Sequence, residues 1–388
     1  MRKITVLVVI CCLIMGSFAV NTAGALDGSG TEQDPWRIQS LADFDDFAAD
    51  SNYWDGYARL ETDVNLAGRV YERAVIAWDT YNSNNDFDGN SFTGVFDGNE
   101  YKIMNLTVND GGKGNDFLGL FGYINGGQVR NLGLEGGLVS GDRRVGGLVG
   151  SGSCISNCYS TCDVIGTIAV GGLVGVNEYG SISNCHSTGN ISGSGGGLVG
   201  YNYFGSISNC YSIGSVSGGD VVGGLVGTNG NGTVSNCYST SSVCGGGFIG
   251  GLVGHNTLRA DISNCYSTGD VSGLEWIGGL VGWNDYSTVS NCFWDTDTQT
   301  HGVTASIGDN DYGTVTNVAG LPTLKMQIRS TFTDTDWDFI NVWDIGENQT
   351  YPYLRAYLPS DINKDGIVNF LDLSITANQW MEGDKTDE

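Results

Sequence analysis

The pentapeptide Gly-Gly-Leu-Val-Gly recurs six times in this chain, with its leucine at Leu148, Leu173, Leu198, Leu225, Leu252 and Leu280. The intervals run from 25 to 28 residues. A second element, Asn-Cys followed by an aromatic residue or His, keeps step with it at Cys158, Cys185, Cys210, Cys237, Cys265 and Cys292. A fixed period of this size is the signature of a solenoid, in which each repeat buries its apolar face only against its neighbours. Gly punctuation and β-branched residues argue against helix within the repeats. The expected fold is therefore all-β, a parallel β-helix (β-solenoid) with terminal caps, followed by a short C-terminal calcium-loop and helix segment.

The rung that starts at Gly196 shows the expected plan. Gly196 to Gly200 form a strand, and Tyr201-Asn202-Tyr203-Phe204-Gly205 form a turn. Ser206 to Tyr211 form a second strand, and Ser215 to Gly218 a third. Strict alternation fails in the second strand, because Ile207 and Cys210 are three apart. A corner at Ser208-Asn209 would leave both inward; the alternative turns Cys210 outward. Stacked rungs about 4.8 Å apart place Ile155, Ile182, Ile207, Val234, Ile262 and Val289 in one ladder beside the Cys. The Asn of each Asn-Cys would form an amide ladder. Seven rungs give an array roughly 35 Å long. The repeat Cys are expected as unpaired packing residues, with cross-rung disulfides as the alternative, because parallel Cβ vectors fit a disulfide poorly.

Residues 1–25 read as a signal peptide. Arg2 and Lys3 precede an apolar run, and Ala23-Gly24-Ala25 offers a cleavage site; a retained N-terminal anchor is the alternative. No other segment approaches the roughly 20 apolar residues of a span. Localisation is thus expected to be secreted or cell surface. Two of the 17 Lys and Arg and none of the 43 Asp and Glu fall in this stretch, so the mature net charge is −28. Such a chain repels phosphate backbones, which excludes nucleic acid as a partner. Residues 27–116 are expected to form an N-terminal cap and first rungs. There Ser40 and Asp43 resemble a capping box, with Leu41, Phe44 and Phe47 on one helix face, and Tyr57–Leu66 and Phe92–Val108 are strand-like. Residues 117–298 are the repeat array. Residues 299–358, with a helix expected over Leu321–Ile328 and an aromatic cluster after it, are expected as a cap closing the last rung. Residues 359–388 form a separate element.

The pattern Gly-Gly-Leu-Val-Gly-x-Asn, then Ile-Ser-Asn-Cys-Tyr-Ser-Thr-Gly, resembles the GLUG repeat of secreted and surface proteins of bacteria. The resemblance covers roughly residues 27–355 and implies a surface or adhesive scaffold. Some members are immunoglobulin A peptidases with a zinc peptidase domain, but no His-Glu-x-x-His occurs here, and His186, His255 and His301 stand in other contexts.

One motif carries defined chemistry. Asp361 to Asp372 is a twelve-residue loop with oxygen side chains at Asp361, Asn363, Asp365, Asn369 and Asp372, Gly366 at the sharp turn, and the Ile367 carbonyl as a further ligand. Such spacing wraps six to eight oxygens around Ca2+. The loop and the helical run after it resemble one half of a type I dockerin. That resemblance implies those five side chains as ligands and a cohesin-like partner. It departs from dockerins in having one segment and in the apolar Phe370 and Leu371.

Scattered acids in the array, such as Asp163, Asp270 and Asp285, form no compact cluster, so no catalytic residue is assigned, although β-helices also host polysaccharide lyases and hydrolases. A ligand-binding strip is expected instead from the aromatics after the pentapeptide: Tyr179, Tyr201, Tyr203, Phe204, Trp283 and Tyr286. Aromatic faces suit sugar rings and protein surfaces alike. The alternative is that they only stack on each other. The function expected is a scaffold or adhesive protein that binds extracellular proteins or glycans, with a calcium-binding docking module. The alternatives are a component of a polysaccharide-degrading system or, third, a β-helix enzyme.

Overall fold

A computed structural model describes residues 26–80, 86–152, 154–335 and 337–355. The expected signal peptide, residues 1–25, and the expected calcium loop, Asp361 to Asp372, lie outside the described residues. Within them the chain is a parallel β-solenoid. One face is an eight-stranded all-parallel sheet running from Phe121–Tyr123 to Ile307–Asp311; 28 further strands join one large sheet wrapped around the same core, and Trp343–Asp344 and Tyr353–Leu354 form a separate antiparallel pair. The rungs stack in register: Ile155, Ile182, Ile207, Val234, Ile262 and Val289 are successive partners, all buried.

The break in alternation is a corner. Asn209 has φ 52°, and Asn157, Asn184, Asn236, Asn264 and Asn291 repeat it. Left-handed backbone is accessible to Asn at little cost, and the bend turns both Ile207 and Cys210 into the core. The outer amides partly form the expected ladder, with Asn157 Nδ2 donating to Asn131 Oδ1 at 3.0 Å and Asn184 Nδ2 to Asn157 Oδ1 at 3.2 Å. All nine Cys of the described chain are unpaired. The repeat thiols donate to carbonyls two residues back, as Cys237 does to Ser235 O at 3.1 Å, and burial pushes Cys237 and Cys265 well above the ordinary thiol range. They pack as small hydrophobes.

Three expectations need correction. The pentapeptide is not a strand. Strands end at Gly196 and resume at Val199, so Gly197-Leu198 is a second corner, which points Leu198 and Val199 both inward. Gly is required there, since a Cβ on Gly197 would lie 2.1 Å from the Gly224 carbonyl oxygen. The residues after it, Val199–Tyr203, form a strand, and only Phe204-Gly205 turn. At the N-terminus, helix α1 (Leu41–Ala49) caps the stack: Ser40 Oγ accepts from Asp43 N, and Asp43 Oδ2 accepts from Gln39 N. Its buried face is Phe44, Phe47 and Ala48, while Leu41 is exposed. The strand-like runs divide into Tyr57–Leu60, Val64–Asn65, Val95–Asp97 and Lys102–Asn109.

The third correction concerns the C-terminal region. Leu321 ends the last long strand, and two short helices, α2 (Thr323–Met326) and α3 (Arg329–Thr333), follow. The aromatic cluster after them does not lie across the end of the stack, where Thr314–Asn317 stay exposed. It packs on the side of the solenoid, burying Tyr266 and Phe293 against Phe332, Trp337 and Trp343. Tyr266 OH donates to Pro352 O at 2.6 Å, and Trp337 Nε1 to Asn291 O at 2.9 Å.

Candidate functional site

Two features of the solenoid surface carry chemistry. The first is the corner that follows the eight-stranded sheet. Tyr179, Phe204, Asn231, Tyr286 and Tyr312 all have φ between 49° and 56° there. Their backbone N–H groups stay in the ladder, as Tyr179 N to Tyr203 O at 3.0 Å and Phe204 N to Gly230 O at 3.0 Å. Asn suits this conformation, as Asn231 shows. A bulky aromatic in it costs roughly 1–2 kcal/mol. Yet Tyr179, Phe204, Tyr286 and Tyr312 are 68%, 46%, 58% and 76% exposed. Their side chains therefore return little burial energy for that strain.

The expected strip is divided. Tyr179, Tyr201, Tyr203 and Phe204 form one group, with Tyr179 stacked on Phe204 at 5.3 Å and Tyr203 edge-on to Phe204 at 4.6 Å. Tyr201 and Tyr203 belong to the strand, not the turn. Their register partners in the next rung are Thr228 and Gly230, which interrupt the row. Trp283 belongs to a second group. It stacks on His255 at 4.9 Å and meets Phe248 at 4.7 Å, with Trp276 beyond. Trp283 Nε1 and His255 Nε2 are buried without a hydrogen-bond partner among the described residues, and burial holds His255 below the ordinary imidazole value. Tyr286 pairs with Tyr312 at 4.9 Å. Sequence reading missed Tyr312 because its rung lacks the pentapeptide. The signal was present: Asp309-Asn310-Asp311-Tyr312 repeats Trp283-Asn284-Asp285-Tyr286 position by position.

Beside the first group lies a shallow hollow of about 340 Å³, bounded by Tyr179, Phe204, Ser181, Ser206, Thr233 and the Cys154 thiol. Ser181, Ser206 and Thr233 are register partners, so a row of hydroxyls at rung spacing runs next to two exposed rings. The acids considered for catalysis are tied up individually: Asp163 accepts from Asn190 N at 2.9 Å, Asp285 accepts from Thr257 Oγ1 at 3.1 Å, and Asp270 faces His301 at 3.1 Å.

The second feature is an outer aromatic ladder built by the residue after each repeat Cys. Because Cys points inward, its successor points out. Tyr159, His186, Tyr211, Tyr238 and Tyr266 stack with centroids 5.1, 4.6, 4.9 and 5.0 Å apart and planes within 6°. Burial pushes Tyr211 up to about 12 and His186 down to about 4. Inside the core, a further amide row missed by sequence reading runs through the Asn of Gly-x-Asn. Asn177, Asn202, Asn229, Asn256 and Asn284 each donate Nδ2 to the next Oδ1, at 2.7 to 2.9 Å, and the row ends at the exposed Asn310, whose Oδ1 accepts from Asn284. No group of His, Cys, Asp and Glu able to hold a metal ion occurs among the described residues, and no helix among them is long and apolar enough to cross a membrane.

Comparison with known proteins agrees with this architecture. The GLUG motif matches residues 166–192, 192–217, 218–243 and 245–272. Halomucin of Haloquadratum walsbyi is 31% identical over 162 residues, which is 40% of this chain and 2% of that protein. A candidate Gly-rich membrane protein of Evansella cellulosilytica is 31% identical over 151 residues, 36% of this chain and 16% of that protein. The chain thus spans a small part of the curated relatives it matches. Among solved structures, a candidate immunoglobulin A1 protease from Bacteroides ovatus superposes with a TM-score of 0.51 at 21% identity, over 85% of this chain and 94% of that one. That likeness concerns the fold. The chain is a parallel β-solenoid whose residues 166–272 carry matches to the GLUG motif.

Proposed function

We propose that the chain is an extracellular or surface scaffold whose corner aromatics bind glycans or extracellular proteins. The observation that carries this reading is the set of exposed aromatics held in left-handed backbone. Strain kept where it does not serve packing points to a role outside the fold. Tyr179 and Phe204 beside the Ser181, Ser206 and Thr233 hydroxyls offer apolar ring contact and hydroxyl partners at a spacing set by the rungs, which suits a polysaccharide lying along the stack. The signal-like N-terminus and relatives named halomucin and a Gly-rich membrane protein support the location. Binding to a polysaccharide panel is expected to fall at least tenfold in Tyr179→Ala/Phe204→Ala with the thermal midpoint little changed. Undiminished binding in that double variant would sink the assignment to this corner.

The Asp361 to Asp372 loop supports a second element of the reading, a calcium-dependent docking module that would tether the scaffold to a partner, cohesin-like or otherwise, or to a polysaccharide-degrading assembly. Its oxygen set and central Gly366 are what a calcium loop requires. Calorimetric titration of Ca2+ into the full chain is expected to give a one-site isotherm that Asp361→Ala/Asp365→Ala abolishes. Identical isotherms from both proteins would refute the site.

A further inference from the structure

The aromatic block around Trp283 lies three rungs beyond Phe204, about 14 Å along the stack, and is separate from the Tyr179 corner. Two columns of rings meet in it. His255 and Trp283 are register partners on the outer face of the eight-stranded sheet, parallel within 7°. Phe248 opens the strand before one pentapeptide. Trp276 takes the same place one rung later, just before Ile277, the register partner of Ile249, and its ring lies 5.0 Å from Phe248. The indoles of Trp276 and Trp283 are 6.2 Å apart and within 17° of parallel. Trp276 has φ 41° and is 42% exposed, and nearby Leu274 is 83% exposed. Left-handed backbone is disfavoured for so bulky a residue, and here it carries an indole to the surface.

Carboxylates surround this platform. Asp309 is the register partner of Trp283, so the rung after the last sheet indole supplies an acid in place of a ring. Asp285 and its partner Asp311 lie two residues along on the same face, and Glu275 precedes Trp276. From Asp220 to Asp311 the chain holds nine Asp and Glu against one Lys or Arg, Arg259. Burial holds His255 below the ordinary imidazole value, so it stays uncharged at neutral pH. We infer that the Trp276 and Trp283 platform docks an arginine-bearing segment of an extracellular protein. An indole face attracts a cation more strongly than other rings do. A guanidinium lies flat on such a face while its N–H fork donates to a carboxylate at the side, and Asp309 stands one rung spacing from Trp283. The apolar stem of the arginine suits Leu274. An acidic polysaccharide is repelled by this face, and a neutral sugar leaves its carboxylates unused. The inference rests on the indoles and acids of these rungs, and is independent of glycan binding at the Tyr179 corner and of calcium.

The test measures fluorescence anisotropy of a labelled peptide, Gly-Ser-Arg-Gly-Ser-Arg-Gly-Ser, with the full chain, against versions carrying lysine or glutamine in place of arginine. The arginine peptide is expected to bind about tenfold more tightly than the glutamine version and more tightly than the lysine version, with affinity falling as salt rises. Trp276→Gly is expected to weaken arginine-peptide binding about fivefold. Its thermal midpoint should change little, because φ 41° suits glycine. Asp309→Asn leaves both indoles in place and is expected to weaken binding about threefold. Tyr179→Ala/Phe204→Ala is expected to leave peptide binding unchanged, which separates this surface from the polysaccharide corner. Equal affinity of the parent and Trp276→Gly for the arginine peptide would overturn the inference. So would equal affinity for the arginine and lysine peptides, which would reduce the contact to net charge. Loss of neutral-polysaccharide binding in Trp276→Gly with peptide binding intact would also overturn it and give the platform to sugar rings.

Discussion

Replacing Asn229 with leucine is expected to destabilise the solenoid by about 3 kcal/mol, while Asn157→Gly costs less than about 1 kcal/mol. Both residues sit in amide rows, and the difference lies in what each row can do when broken. Asn229 is fully buried. Its Oδ1 accepts from Asn202 Nδ2 at 2.8 Å, and its Nδ2 donates to Asn256 Oδ1 at 2.9 Å and to Gly232 O at 3.2 Å. Leucine removes all three. The Gly232 carbonyl keeps its bond from Asp261 N, and Asn202 Nδ2 keeps Gly205 O. The Asn256 Oδ1 atom and one N–H of Asn202 are left buried without partners, at about 1–3 kcal/mol each, and the apolar burial of leucine offsets part of this. Asn157 is exposed, so its partners Asn131 and Asn184 regain water, and its φ of 53° suits glycine. Because repeat arrays can unfold in parts, hydrogen exchange over Val226–Gly230 should accompany the denaturation curves. Equal losses at the two positions would show that the inner row contributes no more than the outer one.

The inner row also marks where sequence reading stopped. The period named the solenoid, and the three-residue gap between Ile207 and Cys210 was enough to place a corner at Asn209, because Asn tolerates left-handed backbone. Gly196 to Gly200 misled for the converse reason. Leu and Val flanked by Gly have the look of a short strand, and only the rung above, whose Gly224 carbonyl fills the space a Gly197 side chain would need, shows that the chain bends there. Once the pentapeptide is a corner, the residues after it become a strand, and the Asn of Gly-x-Asn points inward. The expected strip is divided for a similar reason. Tyr179, Tyr203, Trp283 and Tyr286 were legible one at a time, but which of them meet is decided by what stands in the intervening rungs. Thr228, Gly230 and Asn231 divide them. The outward aromatic ladder after the repeat Cys was not foreseen, although alternation implies it once Cys points inward, and the lateral seat of the C-terminal aromatics on it could not be. It depends on a long-range contact, Tyr266 to Pro352, that no local pattern encodes.

His186 is expected to make the solenoid acid-sensitive, and His186→Tyr to remove that sensitivity. It is the single imidazole in a ladder of tyrosines, stacked between Tyr159 and Tyr211 at 5.1 and 4.6 Å. Burial lowers its pKa from an ordinary 6.5 to about 4, since a charged ring there loses hydration. In the unfolded chain the same ring titrates near 6.5. Between those values the unfolded state binds more protons, so stability is full above pH 6.5, declines as the pH falls toward 4, and loses nothing further from this group below that. A shift of this size corresponds to about 3 kcal/mol at most. Tyrosine at this position is what the ladder carries in the next three rungs, so the variant keeps the stack and removes the titration. His255, also held low by burial, remains in both proteins, and the difference between them isolates His186. Urea unfolding at pH 7.5, 6, 5 and 4.5 should show the parent losing about 2–3 kcal/mol more than the variant over this range. Parallel losses would place the acid-labile group elsewhere. A loss in the parent that begins only below pH 4 would show that the imidazole is already solvated in the folded chain.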